Sequence, residues 1–583
     1  MKKQIFILML AIFAVSCDSM LDVTPKDELY ADIFFQNEEE LQLFSNTFYT
    51  ALIPTASEIY SESSDVILIS VPIDEVTGQR TVPTDGGGWS FTALRDINYL
   101  LENSDNCDDE DVRNEYDALA RFFRAYFYFD MVKLFGDVPW YDKVLESNDP
   151  DLYKARDSRE YVMEKIVEDL DFAIEYLPEE QNSYRVTKWT ALALKSRAML
   201  FEGTFRKYHS MGDFDQYLEL CVEASEEFMN NSGYTLYTTG TDAYQSLFNS
   251  STSTRTEEVI LARDYSSTLN LFHNVQNYEN SITTGAPGLS KRIVNFYLNA
   301  DGSRFTDDSS YATKGFVEET AGRDPRLAQT IRTPGYTFGG SQVAPSLAYS
   351  VSGYHLIKYT IDDSTNGNYN SSVNDMPIFR TAEVYLNLAE AKAELGTITQ
   401  ADLDASINKL RARAGITTDL NLNSTLLAGA CPYLSSYFLS EDAGNAYNAI
   451  ILEIRRERTV ELIMEGLRYW DIMRWREGKI FEEDMLGIYF PSVGNYDLNS
   501  DGTNDLCIWS GSKPNSATGL LLLELDNEII LTEGTSGNVL LHSNLTRTWN
   551  EERDYLYPIP SNQRVLSGGA LTQNPGWDDG LTF

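Results

Sequence analysis

The run Asp497-Leu498-Asn499-Ser500-Asp501-Gly502-Thr503-Asn504-Asp505 has the spacing of a ligand set. Side-chain oxygens fall at loop positions 1, 3, 5 and 9, and glycine at 6 permits a sharp bend, as a calcium loop requires. Ile508 stands where the bidentate Glu of position 12 belongs, so an acidic turn held by its own amides is an equal reading. Asp497, Asn499, Asp501 and Asp505 are therefore candidate metal ligands, with calcium in a structural role, and no other cofactor is required. Catalytic constellations are missing from the sequence. The four histidines (His209, His273, His355, His542) have no metal-pair spacing and none lies in H-E-x-x-H. Ser341 after Gly339-Gly340 lacks the closing glycine of a nucleophile elbow. Gly86-Gly87-Gly88 lacks the Lys-Ser/Thr of a phosphate loop. With 88 acidic residues, a glycosidase pair could sit anywhere, so carboxylate number decides nothing. The chain reads as a binder, not an enzyme.

Charge narrows the ligand class. A net charge of −42 on 583 residues repels a phosphate backbone, and the densest basic run, Arg455, Arg456 and Arg458, is interleaved with Glu453, Glu457 and Glu461. Nucleic acid is excluded as a partner. Hydrophobic content of 43% supports a large folded core, in three or four domain-sized units or one repeat-built body.

The first residues give a location. Met1-Lys2-Lys3 precedes an apolar run from Ile5 to Val15, then Ser16 and Cys17. That run is too short to span a bilayer permanently and reads as a signal peptide over 1–16. The small residue before Cys17 resembles a bacterial lipobox, although Ala14 stands where many have Leu, and predicts a lipidated Cys17 as the mature N-terminus. No other stretch reaches 18 apolar residues. Cys107, Cys221, Cys431 and Cys507 form no C-x-x-C pair, and their disulfide state stays open.

Helical periodicity organises the rest. Tyr116, Leu119, Phe123 and Met131 recur at three- and four-residue steps from Val112 to Phe135, before Gly136. Ser158 to Leu177 repeats the pattern, and Thr187 is the N-cap of a helix expected to close at Gly203. Asp213 to Met229 is its partner. A second helical block starts near Phe379 and continues through 446–466 and 467–478. Small residues Ala120, Ala191, Ala193, Ala389 and Ala391 lie where paired helices would approach, which resembles tetratricopeptide packing. The expected fold is mostly α, a tetratricopeptide-like helical-repeat scaffold of about four helix pairs with long loop-rich, partly β insertions. Its parts are an N-terminal helical region (17–230), a Ser/Thr/Asn/Gly/Tyr-rich insert (231–378) and a C-terminal region (379–583). Extended segments are expected at Glu257–Arg263, Tyr354–Thr360, Leu520–Leu525 and Ile529–Leu531.

Five strings in order resemble the SusD/RagB family of outer-membrane nutrient-binding lipoproteins. They are CDSMLDVTPKDEL, ARFFRAYFYFDMVKLFGDVPW, PIFRTAEVYLNLAEAKAELG with INKLRARAGI, RRERTVELIMEGLRYWDIMRWREG, and YLYPIPSNQRVLSGGALTQNPGW. They run from Cys17 to Trp577, nearly the whole chain. They also read as scaffold: Arg455 to Glu465 can form i,i+4 pairs along one helix, and Trp470 and Trp475 fit a core. The resemblance implies a lid over a SusC-like TonB-dependent outer-membrane barrel, lipid-anchored and facing the cell exterior. Such a protein passes captured oligosaccharides or polysaccharides to the barrel without breaking a bond. Sugars stack their C–H faces on rings while amides, carboxylates and guanidinium groups meet their hydroxyls. Candidate ligand residues are Trp89 with Asp85 and Arg80 in the Gly-rich segment, and Tyr265, Phe272 and Tyr278 with Asn277 in the insert. Oligopeptide capture by a RagB-like import component, a surface glycoside hydrolase and a protein-interaction scaffold are the competing readings.

Overall fold

The computed structural model describes residues 34–250, 255–439 and 445–583. The leader and Cys17 lie outside the described residues. Six long helices build the N-terminal half: α1 (Glu38–Leu52), α2 (Thr92–Asn103), α3 (Glu110–Phe135), α4 (Arg159–Tyr176), α5 (Lys188–Tyr208) and α6 (Asp215–Asn231). Asp109 caps α3 by accepting the Val112 N–H, and Gly136 ends it at φ +73°. α3 packs on α4, and α5 on α6. Their apolar faces, with Phe122, Phe123, Leu170 and Met199, form one core.

Gly203 does not end α5. The helix runs five residues further, because Gly203 is where Leu218 of α6 crosses; a Cβ there would lie 2.7 Å from the Leu218 side chain. The residue is a packing device rather than a C-cap. Four C-terminal helices follow: α7 (Thr381–Glu394), α8 (Ile407–Ala414), α9 (Asn448–Glu461) and α10 (Arg468–Trp475). α7 lies against both α6 and α9, and α10 lies on α5, so the two halves share walls.

The strands are short. β1 (Val259–Arg263) pairs antiparallel with β2 (Met376–Arg380), with Arg263 opposite Met376. After α10 come β3 (Met485–Phe490), β4 (Gly494–Tyr496), β5 (Leu506–Trp509), β6 (Leu521–Glu524) and β7 (Gly537–Leu541). β4 pairs antiparallel and β6 parallel with β5, while β3 pairs with β7. The expected strand at 354–360 is replaced by two isolated bridges, His355 to Gly288 and Leu356 to Ile331. The segment 529–531 forms bridges to Leu525 and Val539 rather than a strand. The architecture is a mostly helical, tetratricopeptide-like scaffold carrying small β insertions. Tyr244, Phe296 and Tyr354 of the 231–378 segment share a core with Ile472, Trp475 and Phe490. The C-terminal tail returns to the first core: Tyr557 N–H donates to Leu134 O (2.7 Å), Asn574 to Phe135 O (3.0 Å), and Ile559 and Leu571 are buried there.

The Arg/Glu-rich helix α9 corrects the expectation of i,i+4 pairs along one helix. Every residue of α9 after Asn448 is buried, and apart from the Arg456–Glu453 pair its charges reach other elements. Arg458 bonds Asp471, Glu457 pairs with Arg326 and Arg411, and Glu461 faces Arg326, Arg380 and Arg413. These are tertiary clamps. Cys107, Cys221, Cys431 and Cys507 are all buried free thiols.

Candidate functional site

The Gly-rich segment does not form the exposed platform expected of it. Gly86, Gly87 and Gly88 all adopt positive φ, and the Trp89 N–H closes the turn on Gly86 O (3.0 Å). That turn drives the Trp89 ring inward, edge-on against Phe135 (4.9 Å) and Phe91 (5.6 Å), and 8% of the residue stays exposed. Arg80 is buried elsewhere: its guanidinium binds the Asp554 carbonyl and carboxylate and stacks over Tyr557 at 4.3 Å. Asp85 is exposed and accepts a bond from Asn562 (2.8 Å). Arg80 and Asp85 serve the C-terminal tail, Trp89 enters the first core, and the three do not come together. The exposed edge of Trp89 does line a groove of 360 Å³ with Phe91, Tyr141, Arg95 and Lys143.

The second candidate group comes together. Tyr265 packs on His273 (4.4 Å), and Tyr60 bridges His273 (6.3 Å) and Tyr278 (5.2 Å). The Tyr265 hydroxyl accepts the Ala56 N–H (3.0 Å), which fixes the ring. Burial pushes the Tyr278 hydroxyl far up and holds the His273 imidazole down at about 4, so His273 is neutral at pH 7. Tyr278 is 6% exposed and is core; Phe272 is half-buried at the rim. Asn277 donates to Gly367 O (3.0 Å), and the Asn274 side chain accepts the Asn370 N–H. These two asparagines hold the turn 364–370 and present Tyr369, which is 78% exposed.

Tyr369 is the residue that sequence reading missed. It sits in Asn366-Gly367-Asn368-Tyr369-Asn370, a ring inside a polar turn string, and that combination is the signal that could have found it. Leu269 and Leu271, 61% and 47% exposed, lie on the neighbouring loop. These exposed apolar groups are accompanied by the exposed Thr365 hydroxyl and the Asn368 and Asn370 amides of the same turn.

The acidic loop is the nine-residue connection between β4 and β5. Its oxygens accept backbone amides: Asp497 those of Asp501 and Gly502 (3.2 and 2.8 Å), Asp501 that of Thr503 (2.7 Å), Asp505 that of Leu498 (2.8 Å). Among the described residues no group of three or more His, Cys, Asp or Glu side chains is arranged to hold a metal. Burial, with repulsion from Asp501 and Asp497, holds the Asp505 carboxyl above its ordinary value.

The comparisons decide the family. The model of the SusD family matches residues 257–577, and a second model, described as starch-binding associating with outer membrane, matches 89–200. The chain belongs to the SusD family. A SusD-like protein of Formosa agariphila, P2, is 26% identical over 533 residues, covering 86% of this chain and 95% of its own. A SusD-like protein of Bacteroides ovatus is 23% identical, covering 80% of each. Among solved structures, a SusD-like protein from Bacteroides fragilis superposes with TM-score 0.68 at 23% identity, covering 95% of this chain and all of that one. A SusD-like carbohydrate binding protein from the same species gives 0.66 at 21%, covering 91% and 99%. These likenesses establish a SusD fold for the whole described chain.

Proposed function

We propose that this SusD-family chain is a cell-surface glycan-binding lipoprotein. It captures oligosaccharides on the Tyr369 surface and delivers them to a SusC-like TonB-dependent barrel. The family match across both halves carries the reading, and the outer-membrane description of the second family model supports the location. The lipid anchor at Cys17 and the outward orientation belong to the same proposal. Chemically, Tyr369 offers a ring face for sugar C–H groups, while Asn368, Asn370 and Thr365 offer amide and hydroxyl partners on the same turn. Binding without bond cleavage is the expected outcome, in keeping with a structural relative named as a carbohydrate binding protein.

Calorimetric titration of the protein truncated after Cys17 against polysaccharide, oligosaccharide and peptide panels tests this. Tyr369→Ala should weaken the responding glycan about tenfold, near 1.4 kcal/mol, with unfolding temperature unchanged because the ring is mostly exposed. A peptide response with a silent glycan panel would replace the glycan reading.

A structural calcium ion at the Asp497 loop is a separate proposal. Its support is the calcium-type spacing of the loop, together with the repulsion that Asp501 and Asp497 exert on Asp505, which a cation would relieve. Millimolar calcium is then expected to raise the unfolding temperature by a few degrees over EDTA, and Asp501→Asn to remove the difference. Identical melting in both buffers rejects the ion.

A further inference from the structure

Between the N-terminal helices and α10 lies a cavity of 470 Å³, away from the Tyr369 surface in sequence and in lining. Its apolar wall comes from Phe129 and Tyr126 of α3, Phe201 of α5 and Trp470 of α10. Thr50, Ala51, Thr55 and Glu58, all exposed, stand at its open side. The size suits a small organic ligand.

Two polar groups on that wall have no partner among the described residues. The Tyr126 hydroxyl is one: the residue is 6% exposed, lines the cavity and makes no hydrogen bond, although burial pushes the hydroxyl far up and keeps it protonated. The half-buried Trp470 indole N–H is the other. Both groups keep some exposure, which leaves them open to the hydroxyls of a ligand in the cavity. Every cationic group around the cavity, by contrast, is already matched. Lys133 binds Asp130 (2.6 Å) and lies over the Trp470 and Phe129 rings (4.6 and 4.7 Å). Arg197 forms a two-pronged pair with Glu383 (2.6 Å each) and donates to Ile378 O (2.8 Å). Arg458 and Arg474 are bonded to Asp471, and Arg474 also to Glu390; Glu465 is held by Arg380 and Lys358.

We propose that this cavity is a second binding site, for a neutral hydroxyl-rich ligand of mono- to disaccharide size. Such a ligand would lay a C–H face on the aromatic wall and meet Tyr126 Oη and Trp470 Nε1 with hydroxyls. A charged ligand would have to break one of the pairs above, and this is the physical basis for neutrality. The site stands independently of the Tyr369 surface.

The test uses the Tyr369→Ala protein, so that the outer surface does not contribute. Calorimetry with neutral mono- and disaccharides at up to tens of millimolar is expected to give one saturable site per chain. Tyr126→Phe, which removes one oxygen and keeps the ring, should weaken it at least fivefold. Ala51→Trp, a change at an exposed rim position, should abolish it by filling the mouth; it keeps the test decisive if the Tyr126 variant fails to fold. Three results would overturn the proposal: no saturable heat, binding indifferent to both variants, or an amino acid or uronate held more tightly than any neutral sugar. Loss of sugar binding in Tyr369→Ala together with an intact cavity would fall under the first of these, and leaves the outer-surface reading standing.

Discussion

Glu461→Ala is expected to destabilise the protein by about 3–5 kcal/mol, at the upper end of what removing one partner from a buried pair costs. The carboxylate is fully buried and one of its oxygens accepts from Arg380 (2.7 Å) and Arg413, the other from Arg326 (3.0 Å). Those three arginines come from β2, α8 and the Pro325–Thr330 turn of helix, so one side chain holds three segments. Their collective charge keeps the Glu461 carboxyl far below the ordinary carboxylate value despite burial. Glu258 and Glu457 remain near the guanidinium groups in the variant, and Asp324 still binds Arg326. They offset part of the loss but cannot reach the vacated position. Glu461→Gln keeps the volume and should lose nearly as much, because charge is what the three guanidinium groups need. Urea unfolding of both variants checks this, and a loss under 1 kcal/mol in either would contradict it.

Glu62 works in the opposite sense and predicts a pH effect. It is buried, and its two oxygens accept the N–H groups of Arg468 (2.7 Å) and Met464 (3.1 Å), at the turn leading into α10. Burial dominates and pushes its carboxyl up to about 8; the Arg468 amide pulls it down, and the nearby Asp65 carboxylate pushes it up. A folded-state value above the unfolded one means that the native protein binds the proton more tightly. The stabilisation is then fully present below the unfolded value near 4.5 and is lost as pH rises through about 8. At 1.36 kcal/mol per unit, the full loss amounts to roughly 5 kcal/mol, of which about 4 falls between pH 5 and pH 9. Glu62→Gln cannot ionise, so the stability difference between variant and wild type should move in the variant's favour by up to that amount from pH 5 to pH 9. Its amide supplies one acceptor where the carboxylate has two, so the variant should start lower at pH 5. Parallel unfolding profiles across this range would show that Glu62 ionises freely in the fold. Glu279, pushed up to about 7 by burial, adds a smaller contribution of the same sign in both proteins.

How much of this was legible beforehand depended on the range of the interaction. α3 and α4 appear within two residues of where periodicity places them, because their apolar stripes face one core and their caps are local: Asp109 for α3 and Ser158 for α4. Thr187 as N-cap was equally readable. Gly203 was not, since its meaning lies in Leu218, fifteen residues on and across a helix interface. The α9 charges read as i,i+4 pairs because that spacing is visible in one dimension, whereas most of their partners sit tens to hundreds of residues away. Trp89 failed for a related reason. Three glycines were taken to expose it, yet their positive φ values turn the chain so that the ring enters the core. Tyr265, Asn277 and Tyr278 cluster in the fold, and they support a surface whose exposed ring, Tyr369, lies about a hundred residues downstream. The SusD strings identified the family because they encode the scaffold; the Tyr369 turn lies outside them.

The return of the C-terminal tail to the first core has a consequence for how the chain reaches its native state. Tyr557 and Asn574 bond the end of α3, and Arg80 bonds Asp554, 474 residues later. The earliest helices to be made therefore wait for almost the last residues before their core is sealed. Closing loops of that length is slow, and the interval leaves apolar helix faces uncovered. The first core is therefore expected to be completed only once residues 554–574 are in place, so the N-terminal half alone should fold poorly. The same seam gives the finished protein its closure, because neither end can open without uncovering the core that the other end shares.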